Sequence, residues 1–481
     1  MKTKCFGTTL LFENEGKKYA FDIVSYNLLE IDDVMYYALL IRFGVCTINE
    51  IEKKYDTRSI GEVLELFDLL KNNNIFFSED LLEEQFNNDV EVGQFSLPPV
   101  HTCNLNCKYC FADAGAEYKE VKREFTREQI EKTLRYIYYD LMPECKKYRI
   151  DFVSGGEPLL NFEIIKWIRE VGDELYRETG KPLIMWMCTN GTLLTKEIVE
   201  KLNLYRIKWG ISLDGTKDIH DSSRIDKSGN GTYNRIVSNI KKIEKQMGRS
   251  NLLKNVWALS VITSETKSLI DILKHHYQLG FRNIQIKPVR LCKESELAIT
   301  NNNVEYIMKM YTELFSFFKE EWNKGDYSYL LMMLNDIDFS GKVFRRLVFS
   351  EHMSDRCYAG KSKFSFQANG DVYPCDSFVG IKEFCVGNID SSLKNLKDIR
   401  RISLFKRKKC MSCWARYLCG GNCLYNSLMA NNDILEPDKV VCELKKHVIL
   451  ENILLIEYMS TTNEKLLNEI LHLIKLKDAF L

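Results

Sequence analysis

Six short apolar runs alternate with five longer amphipathic ones between about residues 94 and 290, and this alternation limits the fold more than any other feature. The apolar runs are FSLPPV, YRIDFVS, PLIMWMC, IKWGISL, VWALSVIT and NIQIKPV. Between them lie TREQIEKTLRYIYYDLM, FEIIKWIREVGDELYRE, KEIVEKLN, TYNRIVSNIKKIEKQM and LIDILKHHYQLG, with apolar residues at helical spacing. Short buried strands joined through helices imply a parallel sheet with right-handed crossovers, either a barrel or an open doubly wound sheet. In both, chemistry gathers at the carboxyl ends of strands, where Gly155, Asn190 and Asp214 fall here.

At 481 residues the chain exceeds one ordinary core, so two or three domains are expected. Residues 1–88 read as a small separate unit: a hairpin-like alternation in KKYAFDIVSYNLLEID, then three short helical patterns and a returning apolar segment. That order suggests a winged-helix-like module. Its acidic stretches EIDD, GEVLELFD and SEDLLEEQFNND lack the basic face that phosphate binding requires, so a peptide or protein partner is favoured over DNA. LLEEQFNNDVEVG (81–93) reads as a polar linker, 296–350 as a bridging helical segment, and the last 36 residues as two helices. With 67 basic and 67 acidic residues, bulk charge argues for neither nucleic acid nor a membrane surface. No signal peptide and no membrane-length apolar run is evident, so the cytosol is expected.

In that compartment clustered thiols read as metal ligands or catalysts rather than disulfides. Of 16 cysteines, Cys103, Cys107 and Cys110 crowd into eight residues directly after the first strand, and eight more lie between 357 and 442. Cys5, Cys46, Cys145, Cys188 and Cys292 are scattered and read as small buried hydrophobes. Three thiols are one short of structural zinc, so the first group is either an open metal centre awaiting another ligand or a zinc site borrowing a distant one.

The spacing C-x3-C-x2-C, with Tyr109 before the last cysteine and Phe111 after it, resembles the radical S-adenosylmethionine (SAM) enzymes. VSGGEPLL (153–160), CTNGTLL (188–194) and ISLDGTKDIHDSSRI (211–225) resemble further segments of that family, in its order. The resemblance implies a partial (β/α)6 TIM-like barrel over 94–295 whose three cysteines hold a 4Fe-4S cluster. SAM would chelate the unique iron and be cleaved reductively to a hydrogen-abstracting 5'-deoxyadenosyl radical. Gly155, Gly156 and Glu157 would meet the amino group of SAM, Ser212 its ribose or carboxylate, and Arg224 its carboxylate. Asn190 belongs to the same SAM-binding set, and Tyr109 and Val289 would flank the adenine.

The later spacing, Cys357, Gly370 and Cys375 followed by Cys410, Cys413, Cys419 and Cys423 and then Cys442, resembles the SPASM extension, expected over 351–445 with two auxiliary 4Fe-4S clusters. One would use Cys410, Cys413, Cys419 and Cys442; the other Cys357, Cys375 and Cys423. Position 363, a cysteine in some relatives, is lysine here, so the fourth corner falls to Cys385 or stays open to a substrate thiolate. The whole most resembles thioether-forming maturases of the sactipeptide and ranthipeptide group. It implies a precursor peptide whose leader binds the amino-terminal unit by strand addition, and an electron donor such as flavodoxin or ferredoxin. Alternatives are carbon-carbon crosslinking, sulfatase active-site maturation, or a non-catalytic cluster or zinc protein regulating transcription.

Overall fold

The structure is a computed structural model that describes residues 3–51, 55–86, 90–112, 124–153, 155–248, 252–291, 294–391, 393, 399–400 and 402–480. Cys292, Ser154 of the glycine-rich segment and residues 87–89 of the expected linker lie outside these.

The amino-terminal unit is richer in strand than the hairpin its sequence suggests. β1 (Thr3–Phe6), β2 (Thr9–Asn14), β3 (Lys17–Asp22) and β4 (Leu28–Ile31) form an antiparallel meander in sequence order. α1 (Asp33–Arg42), α2 (Ile48–Ile51) and α3 (Thr57–Asn72) follow. The alternation of β2 and β3 makes two apolar faces. Leu11 and Ala20 pack with α1 and α3 through Ala38, Leu39, Ile60 and Phe67. Leu10, Phe12, Tyr19 and Phe21 pack on Trp414, Tyr417, Ile449 and Ile453 from the far end of the chain. The returning apolar segment, Ile75–Phe77, forms no strand: Phe76 is buried and Phe77 stacks edge-on against Phe67.

The polar linker is docked rather than free. Within it Glu83 accepts from Ser403 Oγ at 2.8 Å and Phe86 packs on Phe405 and Tyr417; just before it, Asp80 accepts from Arg416 at 2.8 Å and from the Tyr417 hydroxyl. Its acidity has a partner that no local pattern reveals.

The central sheet contains β5 (Val92–Ser96), β6 (Lys147–Phe152), β7 (Leu183–Thr189), β8 (Ile207–Ser212), β9 (Trp257–Ile262) and β10 (Asn283–Pro288), all parallel and adjacent in sequence order. α4 (Arg127–Tyr136), α5 (Phe162–Thr179), α6 (Lys196–Leu204), α7 (Lys217–Ser223), α8 (Tyr233–Met247) and α9 (Leu269–Leu279) supply the crossovers. An order without reversal, with crossovers of one hand, gathers the helices on one face. Residue parity agrees. Phe95, Ile150, Met185, Met187, Ile211 and Ile286 belong to the helix-side core. Their alternates Ser96, Asp151, Cys188, Ser212 and Lys287 line the other face. That face is polar, whereas parallel strands buried on both sides would read apolar throughout.

The first strand is displaced from FSLPPV to Val92–Ser96, because Pro98 and Pro99 carry no N–H for a ladder. After α10 (Val304–Asn323), α11 (Ser328–Met333) and α12 (Gly341–Val348), the cysteine-rich region returns to the same sheet. β11 (Lys363–Phe366) pairs parallel with β5 in the register Lys363–Gln94, Phe364–Phe95, Ser365–Ser96, and β12 (Asp371–Tyr373) and β13 (Gly387–Asn388) extend it antiparallel. The expected boundary near residue 350 therefore crosses one continuous sheet. A terminal helix, Lys439–Phe480, breaks only at Asn463, whose side chain caps Leu466; the two helical patterns of the sequence meet there.

Phe95 lies at the seam, with ring centroids 6.4 Å from Phe364, 5.9 Å from Phe366 and 6.3 Å from Tyr148. Phe95→Ala is expected to cost about 3–5 kcal/mol by leaving a cavity there, read as a lowered midpoint in chemical denaturation; an unchanged midpoint means the seam bears no load.

Candidate active site

The loop carrying Cys103, Cys107 and Cys110 is clamped from two sides. Asn106 and Lys108 donate backbone N–H groups to Ile225 and Ser223, both at 2.9 Å. Gly156 and Glu157 donate theirs to Val100 at 2.8 Å and Thr102 at 3.0 Å. A Cβ on Gly156 would lie 1.6 Å from the Thr102 carbonyl oxygen, and one on Gly155, at φ +88°, would lie 2.6 Å from that of Val100. Close backbone approach is thus needed against the chain's own cysteine loop.

Around the thiols the structure brings together Tyr109, Glu157, Asn190, Ser212 and Arg224. Asn190 reaches Cys103 Sγ at 3.9 Å and is fixed by Asn104 at 2.8 Å. Arg224 has one nitrogen 4.0 Å from Cys107 Sγ, while its Nε donates to Asp214 at 3.0 Å. Tyr109 is buried, its hydroxyl bonded to Asp214 and its ring 5.3 Å from the Arg224 guanidinium. Asp214 is therefore the anchor of this group; the sequence marked it only as a residue at the carboxyl end of a strand, within ISLDG, without naming its partners. Ser212 lies 3.1 Å from Cys188 Sγ, so Cys188 belongs to the site rather than to an apolar core. Of the other scattered cysteines, Cys145 is buried, Cys46 half-buried and Cys5 exposed, which corrects the uniform reading. Val289 lines a cavity of about 120 Å³ together with Arg290, Tyr425 and Met429.

Glu157 is spent inside the protein. Its carboxylate accepts from Thr189 Oγ1 at 2.6 Å and the Asn190 N–H at 2.8 Å, tying the glycine-rich loop to the end of β7. Burial pushes its pKa up to about 7 against those hydrogen bonds. Burial likewise raises Cys103, and raises Cys107 to about 11 with Arg224 opposing. These thiols are poised to lose protons to a metal rather than to water.

The later cysteines form two groups. Cys410, Cys413, Cys419 and Cys442 lie near enough to repel one another's charge, and Asn422 Nδ2 sits 3.6 Å from Cys442 Sγ. Cys357, Cys375 and Cys423 form the other. Burial would raise Cys423, but Arg290 and Arg356 hold it below its ordinary value. Lys363 pairs with Asp376 at 3.2 Å beside Cys375. Cys385 directs its thiol to the Gly387 carbonyl at 3.4 Å. Cys110, Phe111, Cys375 and Cys423 share one packed cluster, and the Arg290 guanidinium sits 5.3 Å from the Phe111 ring and 3.0 Å from Ser377 Oγ.

Among the described residues no three His, Cys, Asp or Glu side chains converge to chelate a single ion. The donor chemistry fits iron-sulfur clusters: free thiols in three groups, with Arg224, Arg290 and Arg356 beside them to balance thiolate charge. Cys103, Cys107 and Cys110 would hold one cluster, and the two later groups the others.

Residues 97–268 match the Radical SAM superfamily, and residues 357–414 match the SPASM iron-sulfur cluster-binding domain. The cysteine-type anaerobic sulfatase-maturating enzyme of Clostridium novyi (strain NT) is 27% identical over 392 residues, 76% of this chain and 96% of that one. The radical SAM cyclopropyl synthase TigE of Paramaledivibacter caminithermalis is 22% identical over 453 residues, 85% of this chain and 90% of that one. The structure of native anSMEcpe with bound AdoMet shares the fold at a TM-score of 0.59 and 21% identity, covering 79% of this chain and 100% of that one. The chain thus carries a radical SAM domain followed by a SPASM domain, and its cofactors are S-adenosylmethionine and auxiliary 4Fe-4S clusters.

Anaerobic reconstitution is expected to load about twelve irons per chain, in three clusters. Gly156→Ala should displace the Thr102 carbonyl and lower that to about eight by iron analysis; full loading would show that the clamp is dispensable. Because Glu157 is raised to about 7 from an ordinary 4.5, its neutral form stabilises the fold at low pH. That contribution, on the order of 3 kcal/mol, is lost as pH rises from about 4.5 through about 7. Glu157→Gln should remove this slope from denaturation midpoints measured across the window.

Proposed function

We propose that this protein is a radical SAM oxidoreductase that modifies a side chain of a peptide or protein. The observation that carries the reading is the adjacency of two thiol groups: Cys110 and Phe111 pack with Cys375 and Cys423. When bound, SAM and its cluster supply hydrogen abstraction, and the auxiliary clusters supply an electron sink. The chain's own residues bind and orient. Arg224, held by Asp214, and Ser212 present a cation and a hydroxyl on the polar face of the sheet, for the carboxylate and ribose of SAM. Gly155, Gly156 and Glu157 fix the loop beside Cys103. Lys287, accessible on the same face, stands where substrate would pass.

Oxidation of a cysteine in a protein substrate, the cysteine-type sulfatase-maturing reaction, is supported by the relative from Clostridium novyi. A second reading, thioether formation in a cysteine-containing ribosomal peptide, is favoured by one observation. The group Cys357, Cys375 and Cys423 has a lysine, paired with Asp376, at the position where some relatives carry a cysteine, so a substrate thiolate would complete it. In that reading the free edge of β1, which pairs only with β2 among the described residues, takes the leader peptide. A flavodoxin or ferredoxin delivers the electron.

The test is anaerobic co-expression with any short cysteine-containing peptide encoded beside this gene and, separately, with a cysteine-containing sulfatase-derived peptide, followed by mass spectrometry. Loss of two hydrogens with sulfur retained marks a thioether; loss of the sulfur marks sulfatase-type maturation. Both should vanish, together with SAM cleavage, when Cys103, Cys107 and Cys110 are replaced by Ala. Unmodified masses in both arms overturn the reading.

A further inference from the structure

Four cations, Arg346 and Lys445 buried and Lys342 and Arg356 half-buried, cluster beside the two later thiol groups. Lys342 and Arg346 come from α12, Arg356 precedes Cys357, and Lys445 lies one turn after Cys442 on the terminal helix. Lys445 is 2% exposed and Arg346 9%, so neither can greet a substrate. Lys445 Nζ donates to the Phe339 carbonyl at 2.8 Å and rests 4.3 Å from that residue's ring centroid. Arg346 Nη1 donates to the carbonyl of Leu418, the residue before Cys419, at 2.7 Å.

Among the described residues none of the four forms an ion pair with a carboxylate. The charged neighbours of Lys445 are Lys342, Arg356, Arg346 and Cys419. Those of Lys342 are Arg356, Arg346, Lys287 and Asp338. Asp338 is already committed: its carboxylate accepts the N–H groups of Ile286, Ser340 and Gly341. On the other side Arg356 neighbours Cys357 and Cys423. A knot of like charges withdrawn from water is costly unless an anion compensates it; Glu351 neighbours Arg346 without forming an ion pair with it, which leaves the thiolates of Cys419, Cys357 and Cys423 to compensate Lys445, Arg346 and Arg356.

We propose that Arg346, Arg356, Lys342 and Lys445 are the counter-charge of the two auxiliary clusters and hold their reduction potentials high enough for them to act as electron acceptors. A thiolate-ligated cluster gains one negative charge on reduction, with no bond made or broken, and fixed cations beside it favour the reduced form. The proposal rests on the cofactors and not on which side chain is modified. The residues act through the clusters, so their role is one of positioning charge.

The test is a redox titration of the reconstituted full-length protein followed by electron paramagnetic resonance. Lys445→Met and Arg346→Met should shift an auxiliary signal to more negative potential, and Lys445→Arg should return it toward the wild-type value. The signal that responds to added SAM should stay in place. Wild-type potentials in both Met variants, or an equal shift of every cluster, would overturn the proposal. Should either Met variant fail to load iron, the half-buried Lys342→Met provides the reading: a smaller shift of the same sign supports it, and no shift overturns it. Peptide modification can fail in all of these without touching the result, because the potentials are read without substrate.

Discussion

The pairing of β5 with β11 is the constraint on which the rest depends. Three register pairs join a strand that leads into Cys103 to a strand set between Cys357 and Cys375. Two cysteine groups far apart in sequence are thereby fixed on one sheet, and Phe95, Phe364 and Phe366 hold the seam from the helix side. Because side chains alternate along a strand, the same pairing turns Lys363 and Ser365 to the polar face with Ser96. The arrangement of thiols is thus a consequence of strand register, not of loop geometry alone.

Charge is distributed to match. Arg224 beside Cys107, Arg290 and Arg356 beside Cys423, and the cations around Cys419 form a basic interior in a chain whose formal net charge is zero. The acids present there are mostly engaged: Asp214 with Arg224 and Tyr109, Asp376 with Lys363, Asp338 with backbone amides. Burial keeps Cys103 and Cys107 protonated until iron takes the proton's place, so cluster assembly and charge balance are coupled.

Much of this was legible in the sequence. The strands after the first lie within a residue or so of their apolar runs, since residue parity separates helix-side from site-side positions. The cysteine groups could be divided by spacing. What escaped were features set by partners remote in the chain. β11 is only KFSF, too short to carry a period, and is a strand because β5 offers it a ladder. Cys188 read as a small hydrophobe because its neighbours in sequence are apolar, yet its own parity turns it toward Ser212. Segment 81–93 read as a polar linker, yet Glu83 accepts from Ser403 and Phe86 packs on Phe405 and Tyr417, partners remote in the chain. The glycines of VSGGEP were read correctly as marks of close approach, but the approach described by the structure is to Val100 and Thr102.

The amino-terminal sheet has both faces covered, one by its own helices and one by residues flanking Cys410 and Cys413. It is therefore a fixed limb and not a tethered one. A polypeptide laid along the free edge of β1 would start from a set origin and direction relative to the thiol groups. Which residue arrives at the chemistry would then be a matter of contour length, with the protein acting as a ruler and the number of intervening residues as the scale.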